Sequence, residues 1–221
     1  MCIHNFFVEI SFFELILRQK MIETMNQIIF ATANRNKLEE IKAMLPASLQ
    51  IKGLCEIGFT GDIPETEDTL EGNALLKARY IRERYHLACF ADDTGLEVEA
   101  LNNAPGVYSA RYAGMTGAQE ICAKANMEKL LRELSRKTNR KARFRTVIAY
   151  IDSENETHIF EGIVNGSIVE TPVGKEGFGY DPVFLPNGYD VTFAQMSMHE
   201  KNLISHRAEA FRKFAETVRG I

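Results

Sequence analysis

Two stretches late in the chain, Arg143 to Asp152 and Thr157 to Val169, alternate polar and apolar residues and have no helix between them. Such alternation marks strands with one buried face, and two of them in succession pair as an antiparallel ribbon. The first half has another rhythm. Ile28-Ile29-Phe30-Ala31-Thr32 is a short buried-type strand that passes through Ala33-Asn34-Arg35-Asn36 into a helical pattern over Lys37 to Leu45, closed by Pro46. A second helix is expected from about Thr69 to Tyr85, with Asp68 as its cap and Leu70, Ala74, Lys77, Ala78 and Ile81 along one face. Leu87 to Ala91 reads as a buried strand ending at Asp92-Asp93, and Leu96 to Leu101 as its hairpin or sheet partner.

Beyond these, Asn102 to Gly114 reads as loop, and Thr116-Gly117-Ala118-Gln119 as a capping box opening a long helix that ends near Lys137. Two helices close the chain, one after Ser197 with Glu200 completing a capping box, the other after Ser205 running through Phe211, Phe214 and Val218. With no repeat, low-complexity tract or linker, residues 25–221 read as a single α/β domain folded as two lobes. Residues 1–24 read differently: Phe6, Phe7, Ile10, Phe13 and Leu17 suit a sticky amphipathic helix, and Met21 and Met25 stand just before the first strand. A partner-binding or membrane-surface helix, an extra element packed on the fold, and upstream sequence included by a mis-chosen start all explain this extension. The last is preferred, because nothing downstream calls for the segment.

Composition narrows the function. At 221 residues, with 45% hydrophobic and 25% charged residues, the chain is ordinary globular material rather than disordered or collagen-like. Its 26 Lys and Arg against 30 Asp and Glu give a net charge of −4, which supplies no general basic field for duplex nucleic acid. Cys2, Cys55, Cys89 and Cys122 lie far apart with no CxxC pair, against a disulfide framework or structural zinc and in favour of a reducing cytoplasm. Glu9, Glu14 and Arg18 interrupt the only candidate membrane span, and the N-terminus lacks the basic region and cleavage site of a secretory signal.

Phosphate must then be held locally, and Thr32 to Lys37 offers a place. A strand end leading into a helix presents free N–H groups and the positive end of the helix dipole, and here it adds a hydroxyl, an amide and an ammonium. Taken alone, the segment is better explained as a polar turn, and it lacks the glycines of a P-loop. Asp62, Glu65, Glu67, Asp68 and Glu71 form an acidic stretch that a solvated loop explains, whereas Asp92-Asp93 follows an apolar strand, where open α/β sheets hold ligands. Carboxylates near a phosphate cradle make sense with Mg²⁺ between them. Lys77 shares a helix face with Asn73 and Ala74 and also reads as a solvent lysine. In Gly174 to Pro182 three glycines surround Phe178, a stacking surface for a planar base or a tight turn. Ser205-His206-Arg207 sets two basic residues against a helix dipole, an inconsistency that more often marks a site than a scaffold.

Thr32-Ala-Asn-Arg-Asn-Lys37, Pro64-Glu65-Thr66, Glu71 to Arg79, Ala91-Asp-Asp-Thr-Gly-Leu96, Ala104 to Tyr112, Phe178-Gly-Tyr-Asp-Pro182 and Ser205-His-Arg207 together resemble the inosine triphosphate pyrophosphatase family, in order from about Ile28 to the C-terminus. The resemblance implies a mixed, elongated sheet flanked by helices, with the active-site cleft between two lobes. It implies hydrolysis of non-standard purine nucleoside triphosphates (ITP, dITP, XTP, dXTP) to monophosphate and pyrophosphate, with Mg²⁺ on Glu65 and Asp93 and Asp93 as general base. Thr32, Ala33, Asn34, Arg35, Asn36 and Lys37 would hold the triphosphate with Lys77, and Thr94 would touch substrate. Phe178, Gly179, Tyr180 and Asp181 would hold base and sugar, and Lys201, His206 and Arg207 would read the base edge. A homodimer is expected by the same resemblance, while the cysteines, the charge balance and the interrupted apolar N-terminus point to a cytoplasmic protein with no nucleic-acid or membrane partner. The departures are the N-terminal extension and Ala33, where glycine is frequent.

Overall fold

The computed structural model describes residues 27–44 and 50–219. The N-terminal extension and Pro46 lie outside them. The chain order is β1 (Gln27–Phe30), α1 (Arg35–Met44), β2 (Gln50–Gly53), α2 (Leu70–Tyr85), β3 (Cys89–Val98), β4 (Pro105–Gly106), α3 (Gln119–Leu134), β5 (Lys141–Ile151), β6 (Thr157–Ile168), β7 (Phe184–Pro186), α4 (Met198–Ile204) and α5 (His206–Arg219). The strands form one mixed sheet in the order β2-β1-β3-β5-β6-β7, with β4 on β3. β1 runs parallel to β2 and β3, and the other pairs are antiparallel. The expected antiparallel ribbon is β5 and β6, in register from Lys141↔Ser167 to Ile151↔Thr157.

Both faces of the sheet are covered, as its apolar strands require. Odd-numbered Cys89 and Ala91 of β3, with Val147, Ala149 and Ile151 of β5, meet Leu70, Ala74, Ala78 and Ile81 of α2. Even-numbered Phe90, Ile148 and Tyr150 meet Ile41 of α1 and Phe211 and Phe214 of α5, with Phe90 and Phe214 ring centroids 4.8 Å apart. Each fully buried Val, Leu, Ile or Phe among them contributes about 1.5–3 kcal/mol. A third cluster covers the far end of the long strands, where Leu96, Val98, Ala142 and Phe144 pack with Leu130, Leu134, Phe184 and Phe193. On β3, Asp92, Asp93 and Thr94 fall between the near clusters and the far one.

Several local expectations need correction. Leu87–Ala91 and Leu96–Leu101 are not partners: β3 runs unbroken through Asp92-Asp93 to Val98, because β5 pairs with it over its whole length. Thr69, not Asp68, caps α2, its side chain accepting from Gly72 N at 3.0 Å. No capping box opens α3, because Thr116 stands too far ahead and the capping position is Ala118, which has no side-chain acceptor. The 102–114 loop contains β4 and a 3₁₀ turn, Ser109–Arg111. The boxes at Ser197 and Glu200 and the Ser205 cap on Ala208 N form as expected.

Candidate active site

β1 stops at Phe30, where its register with β3 ends opposite Phe90, while β3 continues beside β5. The chain leaving β1 therefore crosses the middle of β3 before entering α1, and strand alternation sends the two aspartates to opposite faces. Asp92 points toward α1 and α5 and binds Lys37 Nζ at 2.9 Å and Arg207 Nε at 3.6 Å. Asp93 points toward α2, with Lys77 Nζ at 3.2 Å and Asn73 Nδ2 at 3.4 Å. A cavity of about 1180 Å³ opens here, lined by Thr32–Asn34, Asn36, Lys37, Glu65, Lys77, Asp93, Thr94, Arg111, Phe178–Asp181, Lys201, His206 and Arg207 among others.

Within the strand-to-helix turn, Thr32 Oγ1 accepts from Asn34 N and Asn34 Oδ1 from Lys37 N, both at 3.2 Å, so Asn34 caps the start of α1 and Thr32 braces the turn before it. Arg35 is not brought to the cavity: its exposed guanidinium binds Glu39 at 2.9 Å. Lys77 is no solvent lysine. It occupies the buried stripe of α2 and bridges Glu65 (2.8 Å) and Asp93 (3.2 Å). Burial raises the Asp93 carboxyl's proton affinity, and Lys77 and Lys37 only partly oppose it.

At the other end, Asp181 Oδ2 accepts from Phe178 N at 2.8 Å and from Lys201 Nζ at 2.7 Å. A side chain at Gly177 would bring its Cβ within 2.1 Å of that same oxygen, and Gly177 holds φ +74°. The half-buried Phe178 ring lies 4.9 Å from Lys201 Nζ and 5.5 Å from Arg207 Cζ. Tyr180 is turned inward, its hydroxyl donating to Ser109 O at 2.9 Å. Lys201 also binds Glu40 at 3.0 Å, and Arg207 binds Glu40 in turn. His206 stacks on Phe144 with centroids 4.6 Å apart, and burial, then Arg207 and Lys201, hold its pKa far below the ordinary value. The ring is therefore neutral, which removes one of the two cations expected against the α5 dipole; Glu40 and Asp92 compensate the other. His206 Nδ1 and Arg207 Nε are buried without a hydrogen-bond partner among the described residues.

Sequence reasoning missed three groups. Glu40, buried between Lys201 and Arg207, sits on an otherwise ordinary amphipathic helix and gave no signal. Asp92 reads in the sequence as one pair with Asp93, although strand alternation separates them. Arg111 lies between Ala104 and Tyr112 with nothing in the sequence to set it apart; its Nη1 binds Glu65 Oε2 at 2.8 Å.

The fold and cleft define an α/β protein with a cavity lined by paired cations and carboxylates at the end of a parallel strand pair. The Ham1 family pattern matches residues 28–217, and the chain belongs to that family. It is 54% identical over 186 residues to a dITP/XTP pyrophosphatase of Flavobacterium psychrophilum (84% of this chain, 95% of the relative). It is 56% identical over 187 residues to a dITP/XTP pyrophosphatase of Porphyromonas gingivalis (84% and 94%). The structure of the Staphylococcus aureus Ham1 protein is similar at TM-score 0.78 and 39% identity, covering 88% of this chain and 98% of that one.

Proposed function

We propose that this chain is a nucleoside triphosphate pyrophosphatase that hydrolyses ITP, dITP, XTP and dXTP to the monophosphate and pyrophosphate, clearing them from the nucleotide pool. The observation that carries the reading is one cavity lined by two chemically different sets of groups. Lys37, Lys77, Arg111, Glu65 and Asp93 make up one, and Phe178, Lys201, and His206 and Arg207, whose Nδ1 and Nε have no hydrogen-bond partner among the described residues, make up the other. Relatives named for dITP and XTP support it. The cleft is read as lying between two lobes of one domain spanning residues 25–221.

Magnesium fits the residues present. Five carboxylates (Glu40, Glu65, Asp92, Asp93, Asp181) are matched by five cations (Lys37, Lys77, Arg111, Lys201, Arg207), so a triphosphate entering alone brings uncompensated charge. Glu65 and Asp93 already share one cation, the Lys77 ammonium, and two carboxylates without soft ligands suit a hard ion that takes its other oxygens from phosphate and water. No group of three or more His, Cys, Asp or Glu stands together among the described residues, so the protein's share of the ligands is small. Bound there, the ion would neutralise the triphosphate and favour attack at the α-phosphorus.

The side chains supply the rest. Lys37 and Lys77 bind phosphate oxygens, and Thr32 to Asn36 lend the turn, with Arg35 contributing backbone only. Asp93 takes a proton from water as the water oxygen bonds to the α-phosphorus; the bond from that phosphorus to the bridging oxygen breaks, and pyrophosphate leaves. Thr94 touches the substrate, and Phe178 to Asp181 hold base and sugar. Lys201, His206 and Arg207 donate to a 6-oxo group; the 6-amino group of ATP leaves such donors unpaired, the strong form of discrimination. The test is chromatography of products from ITP, XTP, GTP and ATP in magnesium: monophosphate with pyrophosphate is expected, and diphosphate with orthophosphate refutes the assignment. The reading includes a cytoplasmic homodimer without nucleic-acid or membrane partners. No described helix is long and apolar enough to cross a membrane, and light scattering after gel filtration checks the dimer.

A further inference from the structure

Arg111 differs from the other cations of the cleft. Its backbone is fixed: Ser109 Oγ accepts from Leu96 N (2.9 Å) and donates to Gly106 O (2.6 Å), while Asn126 Nδ2 holds Ser109 O (3.3 Å) and Ala110 O (2.9 Å). Its guanidinium is freer, with the side chain 39% exposed against 9% for Lys77 and 15% for Lys37. The tip rests near the Tyr108 ring, 5.4 Å from its centroid. Both its hydrogen bonds among the described residues go to Glu65, Nη1 to Oε2 at 2.8 Å and Nη2 to the backbone oxygen at 3.5 Å. Lys77 holds the other carboxylate oxygen at 2.8 Å.

One carboxylate thus restrains two cations of the cavity, and a divalent ion on Glu65 competes with both. Lys77 is also paired with Asp93, whereas among the described residues Arg111 has no carboxylate partner besides Glu65 and keeps only the long bond to the Glu65 backbone oxygen. We propose that Arg111 is a phosphate-binding residue switched by Glu65: ion-paired with it in the empty cleft, Arg111 is released to the substrate's polyphosphate when a divalent cation takes that carboxylate. The inference rests on the pyrophosphatase reading above. Arg111 has the chemistry for the exchange, since its planar fork pairs with carboxylate and phosphate oxygens alike.

Calorimetry on the full chain tests the switch, with Mn²⁺ alone as one probe and the non-hydrolysable α,β-methylene analogue of ITP as the other. Arg111→Ala should tighten Mn²⁺ binding several-fold, by removing a competitor for Glu65, and weaken the analogue in Mg²⁺ by about tenfold, the loss of one hydrogen bond to a charged group. Without metal, Arg111→Ala should change analogue binding little in the wild type but by about tenfold in Glu65→Gln, where Arg111 is already free. A general loss of positive charge would weaken the analogue by the same factor in both backgrounds, and that result overturns the switch. So does unchanged or weaker Mn²⁺ binding in Arg111→Ala. If the wild type yields IMP and pyrophosphate while this coupling is absent, the switch fails and the pyrophosphatase reading stands. If the wild type gives no such products, that reading fails and takes the switch with it.

Discussion

At Asp93, burial pushes the carboxyl's proton affinity up, and Lys77 and Lys37 leave it above the ordinary value; at Asp92, burial acts the same way but Lys37, Arg207 and Lys77 overcome it. The two shifts have opposite consequences for stability. A carboxyl raised on folding stabilises the fold only below its unfolded pKa, about 3.9, and that contribution is lost as pH rises through the higher folded value. Ionised Asp93 therefore costs the folded chain stability at neutral pH. A lowered carboxyl such as Asp92 contributes above about pH 3.9, and loses that contribution as pH falls through its folded value. Asp93→Asn should cut kcat by ~10²-fold to 10⁴-fold while raising the Tm of the metal-free protein, by roughly 2–4 °C for each 1 kcal/mol relieved. Asp92→Asn should lower Tm, because Lys37 and Arg207 lose a buried partner, a change of the kind that costs about 3–5 kcal/mol. Thermal melts at pH 7 with matched initial rates check both. A Tm that falls in both variants would contradict the raised Asp93 carboxyl, and an Asp93→Asn that keeps more than about a tenth of wild-type kcat would remove Asp93 from the role of base.

At the scale of elements, the site depends on how closely α5 lies on the sheet. Gly162 of β6 faces the first turn of that helix, where an added Cβ would meet His206 O at 2.0 Å and Ala210 N at 2.5 Å. Those are backbone atoms, so the helix itself would have to move and carry His206 and Arg207 with it. Gly162→Ala should destabilise the fold by about 1–3 kcal/mol, the usual cost of overpacking, and weaken ITP binding more than pyrophosphate binding, since the displaced residues belong to the base end. Equal losses for both ligands would separate α5 from base recognition. No sequence pattern announces this contact, because a glycine in an alternating strand looks the same whether it meets solvent or a helix. Periodicity made the ribbon, α2 and α5 legible, because burial of one face is written locally. It misread β3 as a strand and a partner: Asp92, Asp93 and Thr94 interrupt the apolar pattern, and only the distant β5 keeps the backbone extended through them. Glu40 was invisible for a related reason, its partners Lys201 and Arg207 lying far along the chain. Short motifs marked the Thr32 to Lys37 turn and the Phe178 loop, but not that the Asn34 side chain would cap α1, that Thr32 would brace the turn, or that Tyr180 would turn inward.

Over the whole molecule, a net charge of −4 and a cleft with matched charges leave no strong positive field to capture any polyphosphate that diffuses past. Under the proposed reading, selectivity then comes from contacts along the cavity, and the divalent ion sets whether the triphosphate can be held at all. Chelation should abolish turnover of every nucleotide, and added magnesium should restore it without changing the order of preference. Under the proposed reading that order is set at His206 and Arg207, whose Nδ1 and Nε have no hydrogen-bond partner among the described residues, since a 6-oxo purine can accept from the Arg207 N–H, and from His206 in its Nδ1–H tautomer, where adenine leaves them unpaired. ITP and XTP should exceed ATP by at least ~10²-fold in kcat/KM. His206→Ala should shrink the ratio mainly by slowing ITP; because its ring is neutral and stacked on Phe144, this change deletes a hydrogen-bonding ring without stranding a buried charge. Arg207→Ala is a poorer probe, as it also strands Glu40 and Asp92. Phe178→Ala should weaken all purines alike, because stacking on a ring face is indifferent to the 6-substituent. The measurement is kcat/KM for ITP and ATP in wild type, His206→Ala and Phe178→Ala. If His206→Ala lowers both substrates by the same factor as Phe178→Ala does, the 6-position is read by other atoms and the base end has been misassigned.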